Sequence, residues 1–154
     1  MMFDELKQAL DNIEKNKYKE VTAEALKEKN KVDTAKAAWL EAQQMAAVVI
    51  NDAELIEELI LDAKRNGAKL SDAIITKIEA QEAKLSIIQN HISQKCTDYC
   101  SALMTSSALD NDLFAASKER AKSESHVSGS IIAKIIQARQ KIAKAAGFSI
   151  KIFE

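Results

Sequence analysis

Residues 25–63 read ALKEKNKVDTAKAAWLEAQQMAAVVINDAELIEELILDA, and this stretch decides the fold. Every seventh residue from its start gives Ala25, Val32, Trp39, Ala46, Ala53 and Ile60. The positions three places further on are Glu28, Ala35, Ala42, Val49, Ile56 and Ala63. Eleven of these twelve residues are apolar. Apolar residues alternating at three and four lie along one side of an α-helix, so the ladder is a helical seam. Alanine stands where a coiled coil ordinarily carries leucine, and small side chains let neighbouring helices approach closely. The predicted fold class is all-α: an elongated antiparallel hairpin or coiled-coil bundle of three to five helices, with an alanine-rich seam and a short extended C-terminal tail.

Working outward, the chain has no proline in its 154 residues, so nothing in it forbids long helices. Its size fits a single helical domain over 1–154. Phe3, Leu6, Leu10 and Ile13 repeat the three-four rhythm and predict a first helix over 3–16, interrupted at Lys15-Asn16-Lys17. Thr22 is a candidate cap for a long helix over 22–66, which Gly67 ends. Asn51-Asp52, two weak helix formers, are where this helix could kink. Leu70-Ser71 starts the next long helix, 70–105, with Ser71 as cap and Leu70 stapled to Ile75. Only Gly67-Ala68-Lys69-Leu70 separates these two helices, so they form an antiparallel hairpin. Ile74, Ile78, Leu85, Ile88, Ile92, Tyr99 and Leu103 mark the buried side of the second.

Leu109-Asp110 repeats the start signal for a helix over 110–122. Ser123 to Ser130 are polar and contain Gly129, which reads as a loop or hinge. A basic amphipathic helix follows over 129–146, with Ile131, Ile135, Ala138, Ile142 and Ala145 as its apolar stripe and Gly147 as its end. The tail, 148–153, alternates like a strand.

Charge is nearly balanced overall but not along the chain. Residues 51–117 carry 6 basic and 11 acidic groups, and residues 118–154 carry 8 and 3. Either these segments neutralise each other inside a bundle or one of them meets a partner of opposite charge. Glu54, Glu58 and Asp62 form an acidic stripe facing away from the seam. Lys134, Lys141, Lys144 and Lys151 line one side of the C-terminal region. Together with Phe148, Ile150 and Ile152 they are the candidate partner-binding residues.

Chemistry is sparse. Neither histidine, His91 or His126, lies three after a glutamate, so the carboxylate bundle motif of di-iron proteins is missing. Cys96 and Cys100 share a helix face one turn apart, a poor geometry for a disulfide in a regular helix, and supply at most half a zinc site. There is no nucleophile elbow and no glycine-rich phosphate loop. No catalytic, cofactor or metal residues are expected, and the chain is expected not to be an enzyme. The longest apolar run, Met45–Ile50, is too short to span a bilayer, and the expected compartment is the cytoplasm.

These features predict a non-enzymatic protein–protein interaction protein, an adaptor, scaffold, inhibitor or assembly factor acting through long helix surfaces. A homodimer through the tail or the hairpins is a further expectation. The alternative is a nucleic-acid-binding accessory protein using the basic helix, disfavoured by its few arginines and lack of interleaved aromatics.

Overall fold

A computed structural model describes the backbone of residues 2–147 and the side chains of residues 3–13 and 23–147. The described chain is all-helical. Helix α1 spans Met2–Arg65, α2 spans Asp72–Ser106 and α3 spans Asn111–Ala146. All three pack on one another.

The chain reverses twice, each time at a predicted signal. Gly67 takes a left-handed φ of 67°, and the Ala68 N–H closes on the Ala63 carbonyl at 3.0 Å. That conformation suits glycine and satisfies carbonyls left over at the helix end. Ser71 then caps α2, its hydroxyl accepting from the Ile74 N–H at 3.3 Å. Asp110 caps α3 by accepting from the N–H groups of Asp112 and Leu113, and Gly147 ends it at φ 78°.

Three contacts fix the register. Gln81 Nε2 on α2 donates to the Val49 carbonyl on α1 at 2.9 Å. Trp39 Nε1 on α1 donates to Glu124 on α3 at 2.9 Å. Cys100 Sγ on α2 lies 3.5 Å from the Ala121 carbonyl on α3. Helix α2 therefore runs antiparallel to α1 and α3, and α3 runs parallel to α1. Counting back from Val49 places the end of α2, Ser106, level with residue 24 of α1. Counting back from Trp39 places the start of α3, Asn111, level with residue 26.

The core follows the seam. Trp39, Ala42, Ala46, Ala53 and Ile60 of α1 meet Ile78, Leu85, Ile88, Ile92, Cys96 and Tyr99 of α2 and Ile135, Ala138, Ile142 and Ala145 of α3. Trp39 is the large knob among alanines, and its indole N–H finds a carboxylate, as a buried Trp requires.

The helix boundaries need two corrections. Residues 15–22 lie inside α1, so Lys15-Asn16-Lys17 does not break it and Thr22 is not a cap. This stretch holds no glycine or proline and several good helix formers; losing the apolar stripe is not losing the helix. The candidate kink site at Asn51-Asp52 also falls inside this one helix. Residues 123–130 lie inside α3, so they are neither loop nor hinge, and Gly129 does not have a positive φ. There the weak local propensity of serine and glycine is overridden by packing: Ser128 is buried and Glu124 is held by Trp39. The tail at 148–153 lies outside the described residues.

Candidate interaction surface

The seam continues beyond the bundle. Phe3, Leu6, Leu10 and Ile13 each lie 36 residues before a seam residue, Trp39, Ala42, Ala46 and Val49 respectively. At 3.6 residues per turn this is ten whole turns, so both sets project from the same side of α1. The pattern F-x-x-L-x-x-x-L-x-x-I is repeated as W-x-x-A-x-x-x-A-x-x-V. Within the bundle this face is covered by α2 and α3. Before about residue 24 neither helix reaches it. Phe3, Leu6, Leu10 and Ile13 are accordingly 86%, 62%, 56% and 58% exposed. Roughly 33 Å of α1 stands clear of the bundle, at 1.5 Å per residue. We call this part, residues 2–24, the overhang.

At its base lies an open groove of about 690 Å³. Ala23, Leu26, Ala35 and Ala38 of α1 give it an apolar surface, and Lys95 and Asp98 of α2 close one side. Leu26 is 57% exposed.

The sequence-predicted residues that are described sit at the other end of the molecule. Lys134 and Lys141 line a groove of about 500 Å³ between α1 and α3, opposite Glu54 and Glu57, over a floor that includes Ala46, Ala53 and Ala138. Lys144 and Lys141 border a neighbouring hollow with Glu57 and Lys64. The acidic and basic stretches thus face each other within the chain, although no direct ion pair joins them among the described residues. Glu58 and Asp62 face solvent, and Asp62 pairs with Arg65 at 3.4 Å. Lys151, Phe148, Ile150 and Ile152 lie outside the described residues.

Two half-buried polar clusters join the helices, and their links between helices escaped the sequence reading. Arg139 donates from Nε to Glu82 at 2.8 Å and from Nη1 to Gln89 at 2.9 Å, tying α3 to α2. Glu82 Oε2 is buried without a partner. The second cluster joins all three helices. Glu124 accepts from Trp39 through one oxygen and from Arg120 Nε at 3.1 Å through the other. Cys96 Sγ lies 3.5 Å from the Glu124 carbonyl and 4.0 Å from Cys100 Sγ. Burial pushes the Cys96 thiol up to about 11, with Cys100 adding to the effect. The protonated thiol donates to that carbonyl and so ties α2 to α3. Spacing alone signals none of the links between helices, because those partners are 28 to 85 residues apart.

No group of three or more His, Cys, Asp or Glu is placed to hold a metal ion among the described residues. No described helix is long and apolar enough to cross a membrane. The sequence matches no protein-family model, no curated protein and no solved structure.

Proposed function

We propose that this chain is a non-enzymatic protein–protein interaction protein, a helical adaptor or assembly factor that engages a partner through the overhang of α1. The observation that carries the reading is the row Phe3, Leu6, Leu10 and Ile13, exposed on a helix stretch without a neighbour among the described residues. Burying large apolar side chains is worth about 1.5–3 kcal/mol each. Most helical stability in proteins comes from packing an amphipathic face, which the overhang does not have within this bundle. A docked helix or groove would cover the stripe and stabilise the overhang together. The residue sizes support this as well. The bundle face carries Trp, Ala, Ala and Val, whereas the overhang carries Phe, Leu, Leu and Ile, the large knobs of an ordinary helix-to-helix contact.

The basic helix supports the nucleic-acid alternative poorly. Arg139 is engaged by Glu82 and Gln89, and Lys134 and Lys141 share their groove with Glu54 and Glu57.

The test compares proteins captured from the source cells by the intact chain and by a Leu6→Glu, Leu10→Glu chain. A partner retained by the first and lost by the second is the expected result. Identical capture by both would remove the overhang from the reading. A salt-dependent mobility shift with DNA or RNA would favour the alternative.

A further inference from the structure

We infer that the trough between α1 and α3 is filled by residues 148–154 of the same chain, running back from Gly147 along α3. The trough lies wholly within the described residues; its occupant does not. It is at the end of the bundle away from the overhang, so the inference stands apart from the reading above.

The groove of about 500 Å³ and the neighbouring hollow share Glu57 and Lys141, so they form one trough along α1 and α3. Its lining includes Ala46 and Ala53 of α1 and Ala138 of α3, with Ile50 and Ile131 beside them. Small residues on both helices leave a furrow that larger side chains of another segment fill, as close packing favours. Gln43, Asn51 and Gln137 also line it. An extended segment brings backbone N–H and C=O groups that need partners, and amide side chains supply both a donor and an acceptor.

Three observations name the occupant. The first is position. Lys144 and Ala145 border the hollow, three and two residues before Gly147, where α3 stops. The chain therefore leaves its helix at the mouth of the trough, and the φ of 78° at Gly147 turns it off the helix axis.

The second is length. From Ala145 to Ile131 the trough follows α3 for about 21 Å. Seven extended residues, 148–154, span about 23 Å.

The third is register. Phe148, Ile150 and Ile152 share one face of an extended segment. With Phe148 level with Ala145, Ile150 comes level with Lys141, and Ile152 falls between Ala138 and Lys134 over the alanine floor. Lys151 comes level with Ala138. The Trp39–Glu124 contact sets Ala138 level with Ala53, one residue from Glu54. Glu154 comes level with Ile132, within a turn of Lys134. Each charge of the segment thus meets its opposite on the rim.

Amide hydrogen exchange on the full chain tests the docking. Residues 148–154 should exchange about tenfold or more slowly than in a free peptide of the same seven residues, and Ile150→Glu, Ile152→Glu should abolish the difference. Trp39 emission checks that the bundle remains folded. If that variant unfolds, a spin label at Glu54→Cys still decides, in a chain carrying Cys96→Ala and Cys100→Ala. The label should broaden the amide signals of Ile150, Lys151 and Ile152. Lys151→Glu should weaken the protection about threefold, and Glu54→Lys added to it should restore it. Exchange at the free-peptide rate in the unaltered chain overturns the inference, as does a label that leaves the three signals sharp. Protection that rises with protein concentration, together with a dimer in sedimentation, assigns the trough to the same segment of a second copy and overturns occupation by the chain's own.

Discussion

The two ends of α1 repeat one pattern of apolar spacing and differ in everything that surrounds it. From Val32 to Ile60 the pattern is covered by two helices and its central members are alanines. From Phe3 to Ile13 it is uncovered and its members are large. Periodicity therefore specifies which side of a helix is apolar, while residue size specifies how close, and how many, the neighbours are. A face built of alanines suits three helices pressed together. A face built of Phe, Leu and Ile suits contact across an ordinary interhelical distance. The same reading separates the two regions: the bundle end holds the buried core, and the overhang end keeps its large apolar residues exposed.

The widest separation between the regions is expected from truncation. Ile60→Ala empties a fully buried position and should cost about 2–5 kcal/mol in urea unfolding. Leu10→Ala, at a concentration too low for association, should change stability by no more than about 0.5 kcal/mol. Comparable losses at both positions would break the contrast, because they would mean the overhang is covered within a single chain.

Enlargement sharpens the picture inside the bundle. Ala46 is 1% exposed, whereas Ala47 lies exposed at the α1–α3 groove. Ala46→Leu should cost about 1–3 kcal/mol through overpacking, and Ala47→Leu should stay within about 0.5 kcal/mol. Thermal melts of the two variants compare them directly. Equal, negligible effects would show that the alanine face is not closely packed.

A smaller gain is expected on α3. A Cβ at Gly129 meets nothing within 4 Å, and the residue has ordinary helical backbone. Gly129→Ala should stabilise the bundle by about 0.5–1 kcal/mol by lowering the entropy lost on folding. The same change at Gly147, held at φ 78°, should destabilise it, which separates helix interior from helix end.

The last contrast is one of pH. The Cys96 thiol is raised from 9.0 to about 11, so the folded state holds its proton more tightly than the unfolded chain does. The stability linked to this residue is complete below about pH 9 and is lost as pH rises towards about 11. Cys96→Ala should therefore flatten the difference between unfolding midpoints measured at pH 8 and pH 10.5. An unchanged pH dependence would show that Cys96 is not held as a buried donor.

Much of the fold was legible in residue order because its signals are local. Ser71 and Asp110 as caps, Gly67 and Gly147 as ends, and the stripe from Ile78 to Tyr99 all act within a few residues of where they stand. Errors arose where local and distant evidence conflict. Ser123–Ser130 reads as a hinge by composition, yet Trp39 and Cys96, both far away in sequence, give its polar groups partners within a helix. The stripe at Phe3–Ile13 was legible as a helix face, but the absence of a neighbour was not. Exposure depends on where α2 and α3 stop, and no feature of residues 3–13 records that. The surroundings of the α3 lysines were beyond local reading for the same reason: Glu54 and Glu57 come opposite them only through the packing of α1 on α3.

One property follows from α1 being a single helix through both regions. A pull applied at the overhang travels along the axis of α1 and meets the bundle as shear parallel to its helices. The layers from Val32 to Ile60 then share the load at once instead of peeling apart in turn. The resistance of the molecule to force is set by how fast this whole set of contacts lets go. A tether fixed to the N-terminal end of α1 and another at the end of α3 would load the seam in this way. Tethers at the end of α1 and the end of α3, which lie at the same end of the bundle, would unzip it at a lower force.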